Sequence, residues 1–224
     1  MIVTLIDHMG TDLSVVNAAR VSFAKESEWE SIPEAGPVRN LLSDQDEKLI
    51  KYLAKHNHWS PFGHASMQFR ISAPVFVARQ LVKHQVGLVW NEVSRRYVDD
   101  EVEFYTPPSW RGAPVNAKQG SSDIDVDINP HNRMIDEYQS LCKSAKWTYE
   151  YLLSRGVAPE QARMVLPQSM YTEWYWSGTL MAFARVCNLR CKSDTQEETR
   201  EIANMIDTMS KDLFPISWEA LRNG

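Results

Sequence analysis

Ala65-Ser-Met-Gln-Phe-Arg-Ile-Ser-Ala-Pro-Val-Phe-Val-Ala-Arg-Gln80 changes its period halfway along. In the first half Met67, Phe69 and Ile71 alternate with Ser66, Gln68 and Arg70, which predicts a half-buried strand over Ala65–Ser72. Pro74 then suits the first turn of a helix, where its missing N–H is no loss. Val75, Val77, Ala78, Leu81 and Val82 give this helix its apolar faces, and Gly87 breaks it. Arg79, Gln80 and Lys83 are left for other work. A strand running straight into a helix calls for a sheet with helices packed on it.

The neighbours extend that pattern. Met1–Ile6 is rich in strand formers. Thr11–Val21 reads as a helix capped by Thr11 or Asp12. The polar stretch from Glu26 to Pro37 reads as a loop, and Asp44-Gln-Asp-Glu47 has the form of a capping box that opens a helix ending near Lys55–His58. Downstream, Val102–Tyr105 predicts a short strand stopped by Pro107-Pro108. Gly112–Pro130 predicts a long surface loop. Asn132–Ser154 reads as an amphipathic helix ended by Gly156, and Pro159 starts another that stops at Pro167. Gly178–Leu189 reads as an apolar helix. Ser193-Asp-Thr-Gln196 looks like a second capping box, opening a helix through about Leu213. One α/β domain of the α+β type over residues 1–224, with a central and mostly antiparallel sheet flanked by helices, accounts for the whole.

Bulk composition narrows the function. The 224 residues are 43% hydrophobic and 24% charged, with a net charge of -5. An acidic body argues against a dedicated nucleic-acid binder. No apolar run approaches the length of a membrane span, and Met1–Asp12 is too short and polar for a signal peptide. Cys142, Cys187 and Cys191 make no disulfide framework, which suits a cytoplasmic setting. Cys187 and Cys191 lie one helical turn apart and read as buried small hydrophobes. His56, His58 and His64 match no zinc pattern, so no metal is expected.

Against this acidic background the stretch from Arg79 to Tyr97 stands out. Arg79, Lys83, His84, Arg95 and Arg96 cluster there with one acid, Glu92. Gln80 and Lys83, three apart, would share a helix face. His84 and Lys83 could equally be a solvated basic helix end, favoured by the macrodipole. In Asn91-Glu-Val-Ser-Arg-Arg-Tyr97 a hydroxyl beside guanidinium forks suits a phosphate. A polar turn with both arginines in solvent is the alternative. Arg163 follows Glu160 by three, so it could form an ion pair on one helix face. Arg185 and Arg190 lie in an apolar, aromatic region, where an arginine needs a partner or a ligand.

Six pieces in order carry a family resemblance. They are Ala18-Ala-Arg-Val-Ser-Phe23, Lys55-His-Asn-His-Trp-Ser-Pro-Phe-Gly-His64, Ala73-Pro-Val-Phe-Val-Ala-Arg-Gln80, Asn91-Glu-Val-Ser-Arg-Arg-Tyr97, Ala162-Arg-Met-Val-Leu-Pro167 and Asn188-Leu-Arg190. Together they resemble the flavin-dependent thymidylate synthases. The resemblance implies conversion of dUMP to dTMP with FAD, 5,10-methylenetetrahydrofolate as carbon donor and NADPH as reductant, in a homotetramer with shared sites. It implies that Gln80, Lys83, Glu92, Val93, Ser94, Arg95 and Arg96 hold dUMP, joined by Arg163 from another subunit. His58, Ser60, Lys83, His84, Gln85, Glu92 and Arg185 would meet the flavin, and Arg190 would contact and activate the uracil.

The chain also departs from the family pattern. Lys83-His84-Gln85 stands where the family has Arg-His-Arg, and the interval from His84 to Asn91 is one residue longer. Gly63 replaces a common acid, and Thr179, Met181 and Arg185 replace other polar types. The nucleotide side is better kept than the flavin side, which implies altered FAD binding. Two further readings keep the pocket: a folate-dependent pyrimidine nucleotide hydroxymethylase, and a dUMP-binding protein without flavin chemistry.

Overall fold

The computed structural model describes residues 1–32, 39–98, 101–114, 120–122, 126 and 133–223. Strand β1 (Ile2–Met9) leads to helix α1 (Asp12–Arg20), the short hairpin strands β2 (Glu30–Ile32) and β3 (Arg39–Leu41), and α2 (Asp44–Lys55). Then come β4 (Ser66–Pro74), α3 (Val75–Leu81) and β5 (Leu88–Glu92). The second half holds α4 (Met134–Ser154), α5 (Pro159–Ala162), β6 (Tyr171–Thr179), α6 (Leu180–Arg190), α7 (Glu197–Leu213) and α8 (Pro215–Asn223). Four strands form one sheet in the order β1-β4-β6-β5, every pair antiparallel.

The alternation in β4 sets the core. Met67, Phe69 and Ile71 are buried, as their period requires, and Phe69 and Ile71 lie opposite Trp176 and Trp174 of β6. Phe183 of α6 meets Phe69 and Trp176 edge-on, at 5.1 and 5.3 Å between centroids. Helix α6 is thereby fixed across the sheet. Cys187 and Arg190 lie one and two turns beyond Phe183, so they continue its buried stripe past the aromatic core.

Several elements differ from the sequence expectation, each for a local reason. Gly178 and Thr179 belong to β6 rather than to a helix, and α6 starts at Leu180 with the Thr179 hydroxyl accepting from Ala182 N. Leu88–Trp90, to which the sequence assigned no element, join Asn91 and Glu92 in β5, and the turn follows it. Helix α3 ends at Leu81, so Lys83 lies in the turn beyond it and shares no regular helix face with Gln80. Ser43, not Asp44, caps α2 by accepting from Asp46 N. Helix α7 begins at Glu197 with no side-chain cap, and Thr195 instead donates to Leu189 O at the end of α6. The stretch read as a loop after Glu26 contains β2. The strand expected at Val102–Tyr105 reduces to a single bridge, Phe104 with Met170. Of the surface loop expected at 112–130, residues 115–119, 123–125 and 127–130 lie outside the described residues.

Two glycines allow the turn after α3 to press against α6. A Cβ on Gly87, whose φ is +77°, would come to 3.0 Å from the Ala182 methyl. One on Gly178 would meet Leu88 Cδ2 at 2.4 Å and Gly87 O at 2.6 Å. Only a chain without those carbons can approach so closely. The close approach brings the turn of residues 82–87 against α6.

Candidate active site

Three cavities gather the candidate residues. The first, of about 710 Å³, is walled by Glu92 and Val93 at the end of β5, Arg95 from the following turn, Arg79 of α3 and Arg163 after α5. Strand β5 holds its end in place because Trp90 stacks on Trp174 at 4.4 Å and Val93 N donates to Glu173 O. The Glu92 carboxylate accepts from Thr172 Oγ1 at 2.9 Å and from Trp90 Nε1 at 3.3 Å. Held this way, its remaining lone pairs can accept from a ligand hydroxyl.

The arginines of this cavity are not equivalent. Arg70 also lines it but is bound to Glu173 at 2.7 Å. Arg163 is exposed and makes no bridge to Glu160, so the local ion-pair alternative is not formed. Arg163 already lies on the same cavity as Arg95 within one chain. Ser94 and Arg96 stand beside the cavity rather than in its wall. The Ser94 hydroxyl accepts from Arg96 Nε at 3.1 Å, and the Arg96 guanidinium lies 4.9 Å over the Tyr97 ring. Arg79, singled out only as part of the basic stretch, is an addition to the expected set.

The second cavity, of about 550 Å³, is walled by Gln80, Arg111, Arg190, Thr195 and Gln196 among others. Arg190 Nε donates to His84 Nε2 at 2.9 Å. Burial lowers the Arg190 guanidinium from its ordinary value, yet an arginine stays charged at working pH. Burial first, then the charges of Arg190 and Arg185, push the His84 imidazole below its ordinary value. Gln80 Oε1 is buried and has no hydrogen-bond partner among the described residues. A buried orphan acceptor on a cavity wall awaits a ligand donor or water.

Sequence reasoning missed Arg111 on the opposite wall. Its guanidinium bridges Glu197 at 2.9 Å and the nearly buried Glu198 at 2.6 Å, and Nε donates to the Ser121 hydroxyl. Burial raises the Glu198 carboxyl, but the Arg111 hydrogen bond and charge outweigh it and hold the group below its ordinary value. The Tyr105 hydroxyl also reaches Glu198, at 3.4 Å. The acid pair at the start of α7 was the available signal, but 87 positions separate Arg111 from Glu198.

The third cavity, of about 760 Å³, is mostly apolar: Trp59, Val86 and Met181 line it with Gly87, Thr179 and Arg185. Arg185 is the one charge among its lining residues. His58 and Ser60 are exposed on the loop that carries Trp59, and Lys83 and Gln85 are exposed on the turn. None of these four lines the three cavities. The expected flavin set is therefore spread out, with Arg185 in the apolar cavity, His84 on Arg190 and Glu92 in the first cavity.

No cysteine lines any of the three cavities. Cys187 and Cys191 face Asp207 with ligand atoms within 4.8 Å of one another, a third potential ligand that spacing alone could not supply. Asp207 Oδ1 already accepts from Trp218 Nε1 at 2.9 Å and Arg222 Nε at 2.7 Å. His56 and His58 instead lie with their rings around Tyr52.

Comparison with known proteins bears on this arrangement. A family model described as thymidylate synthase complementing protein matches residues 4–216. A flavin-dependent thymidylate synthase of Kosmotoga olearia is 38% identical over 99% of this chain and 90% of its own length. One from Thermosipho africanus is 37% identical over 96% of this chain and 88% of its own length. Among solved structures, a UMP/dUMP methylase, PolB, from Streptomyces cacaoi bound with 5-Br UMP superposes with a TM-score of 0.82. It is 30% identical, with 99% of this chain and 93% of that chain covered.

Proposed function

Because the chain belongs to the flavin-dependent thymidylate synthase family, we propose that it methylates dUMP at C5 of the uracil ring to give dTMP. FAD, 5,10-methylenetetrahydrofolate as carbon donor and NADPH as reductant complete the reaction. The observation that carries this reading is the half-buried Arg190 guanidinium, held by His84 on the same cavity as the orphan Gln80 Oε1.

The chemistry follows from the donors. With no cysteine on a cavity wall, C5 must become nucleophilic without a covalent adduct to a thiol. A fixed cation beside the ring stabilises negative charge on the pyrimidine oxygens and nitrogen, and the partial burial of Arg190 strengthens the effect. Gln80 Oε1 matches a ring N–H, the group that its buried position leaves it to accept from. In the first cavity Arg95, Arg163 and Arg79 suit the phosphate, with Ser94 and Arg96 at its margin, and Glu92 suits a sugar hydroxyl.

The apolar cavity fits a flavin. Trp59, Val86 and Met181 offer flat apolar surface, and Arg185 offers a cation for a phosphate with no acid on the wall to oppose it. Residues His58, Ser60, Lys83 and Gln85 at its approaches, with His84, would complete the hold. When bound, the flavin supplies the reducing equivalents that turn the transferred one-carbon unit into a methyl group.

A homotetramer with shared sites and a cytoplasmic setting complete the proposal. The exposed Leu141, Trp147 and Tyr151 on α4 support an assembly, since such a face usually meets a partner. Among the described residues no helix is long and apolar enough to cross a membrane.

Product mass is the test. Purified protein given dUMP, methylenetetrahydrofolate, NADPH and FAD should yield a nucleotide heavier by CH2. A gain of CH2O would make it a hydroxymethylase. Binding of dUMP without product or flavin absorbance would make it a binding protein. UMP belongs beside dUMP in the assay, given the likeness to a UMP/dUMP methylase.

A further inference from the structure

A guanidinium activates a ring only if its outer N–H groups face it. Among the described residues Arg190 makes one side-chain hydrogen bond, Nε to His84 Nε2 at 2.9 Å. Arginine has donors only, so His84 must present an unprotonated Nε2 and carry its proton on Nδ1. That bond occupies the inner N–H of the fork and leaves the two terminal nitrogens for the cavity.

The histidine is itself well anchored. His84 N donates to Leu81 O at 3.0 Å, and Leu88 N closes the next turn on Gln85 O at 3.1 Å. Gly87 then seats this turn against Ala182 of α6, the helix that bears Arg190. Turn and helix thus meet twice, once at Gly87 and once through the imidazole.

We propose that His84 is the positioning residue for Arg190: its neutral Nε2 aims the guanidinium at the pyrimidine, and a proton on that nitrogen releases it. This rests on the reading that the Gln80–Arg190 cavity takes the pyrimidine, and it gives His84 a task apart from contact with the flavin. The charges that act on the imidazole are Arg190 and Arg185, both cations on α6, while its neighbour Lys83 is exposed. Among the described residues no acid acts on His84, although Asp194 lines the cavity of Arg190, and both cations oppose a proton. Burial acts in the same direction. A protonated His84 would offer Arg190 a donor and a like charge in place of an acceptor.

The experiment compares wild type, His84→Gln and His84→Phe, with flavin content normalised by absorbance and folding checked by melting temperature. Turnover and dUMP affinity are followed between about pH 5 and 8, where histidine titrates. In wild type both should fall with acid, with a midpoint below the ordinary histidine value of about 6.5. The Gln variant reaches similarly far with an amide oxygen that does not titrate. It should stay within about tenfold of wild-type kcat at neutral pH and lose the acid limb. The Phe variant, with no acceptor, should lose about a hundredfold or more in kcat. An acid limb that persists in the Gln variant overturns the proposal. So does a Phe variant that loses only flavin. If wild type makes no methylated product, the functional reading fails, and the pH dependence of dUMP affinity in the three proteins still decides the role of His84.

Discussion

The two polar cavities handle charge in opposite ways. In the first, Arg79, Arg95 and Arg163 share a wide wall with five glutamates, and the partners visible there are side chains and carbonyls at the surface. In the second, Arg190 is half-buried and donates to an uncharged imidazole, beside a buried amide oxygen that has no partner among the described residues. A solvated cluster attracts an anion from a distance and tolerates imprecision. A desolvated pair of donor and acceptor attracts less but fixes direction. On the proposed function, the comparison puts the phosphate with the exposed arginines of the first cavity and the ring with the half-buried Arg190 of the second.

The sharpest way to break that comparison is Arg190→Ala. Loss of a preorganised donor should lower kcat by about a hundredfold to a thousandfold. KM for dUMP should move far less, because the phosphate contacts remain. A large rise in KM with kcat preserved would make Arg190 a binding residue and erase the division.

The next effect falls on stability. Arg111→Gln would leave Glu198, which is 4% exposed, without its cation, at a cost of about 3 kcal/mol. Denaturant melts measure it. The sign with pH follows from Glu198, whose folded-state carboxyl is held below its ordinary value against the effect of burial. Its contribution is therefore present above the unfolded value of about 4.3 and is lost as pH falls through the folded value. A variant as stable as wild type at neutral pH would show that the wall of the second cavity does not depend on this pair.

How much of this was legible in the sequence depended on distance along the chain. Strand β4 could be read because one face is buried and Met67, Phe69 and Ile71 alternate with polar residues. Strand β6 could not, because Thr172, Trp174 and Trp176 are buried while the opposite face includes Tyr171 and Tyr175, so hydrophobicity does not alternate cleanly. Strand β5 was hidden behind Gly87 and the basic stretch. Asp12 was one of two candidate caps for α1, whose N-cap is Thr11; its carboxylate instead accepts from Ile216 N and Ser217 N and caps α8, some 200 residues away. The site shows the same limit. Local chemistry pointed to Ser94–Arg96 as a phosphate grip, and order along the chain suggested the family. The convergence of Glu92, Arg95 and Arg163 on one cavity, and the His84–Arg190 bond, are tertiary facts with no periodicity to announce them.

In the first cavity, Arg163→Ala should raise KM for dUMP by about tenfold to a hundredfold, the range for a lost charged hydrogen bond. The effect should shrink as salt rises, because exposed charges are screened. Steady-state kinetics at two ionic strengths checks both. A salt-independent loss would mean that Arg163 acts in a drier setting than its exposure indicates.

The smallest effect separates a committed arginine from an available one. Arg70 lines the same cavity as Arg163 but holds Glu173 at 2.7 Å, and both side chains are substantially exposed. An exposed pair of this kind contributes little in either direction. Arg70→Gln removes a positive charge from the wall and releases Glu173 at the same time. The ligand then loses one attraction and gains one repulsion, both through water. The change in dUMP affinity should stay within about threefold, since neither group need touch the phosphate. Proximity alone would predict that Arg70→Gln and Arg163→Ala behave alike. A tenfold loss in the Arg70 variant would favour that view, and would mean that the wall acts as a summed field rather than as a set of distinct contacts.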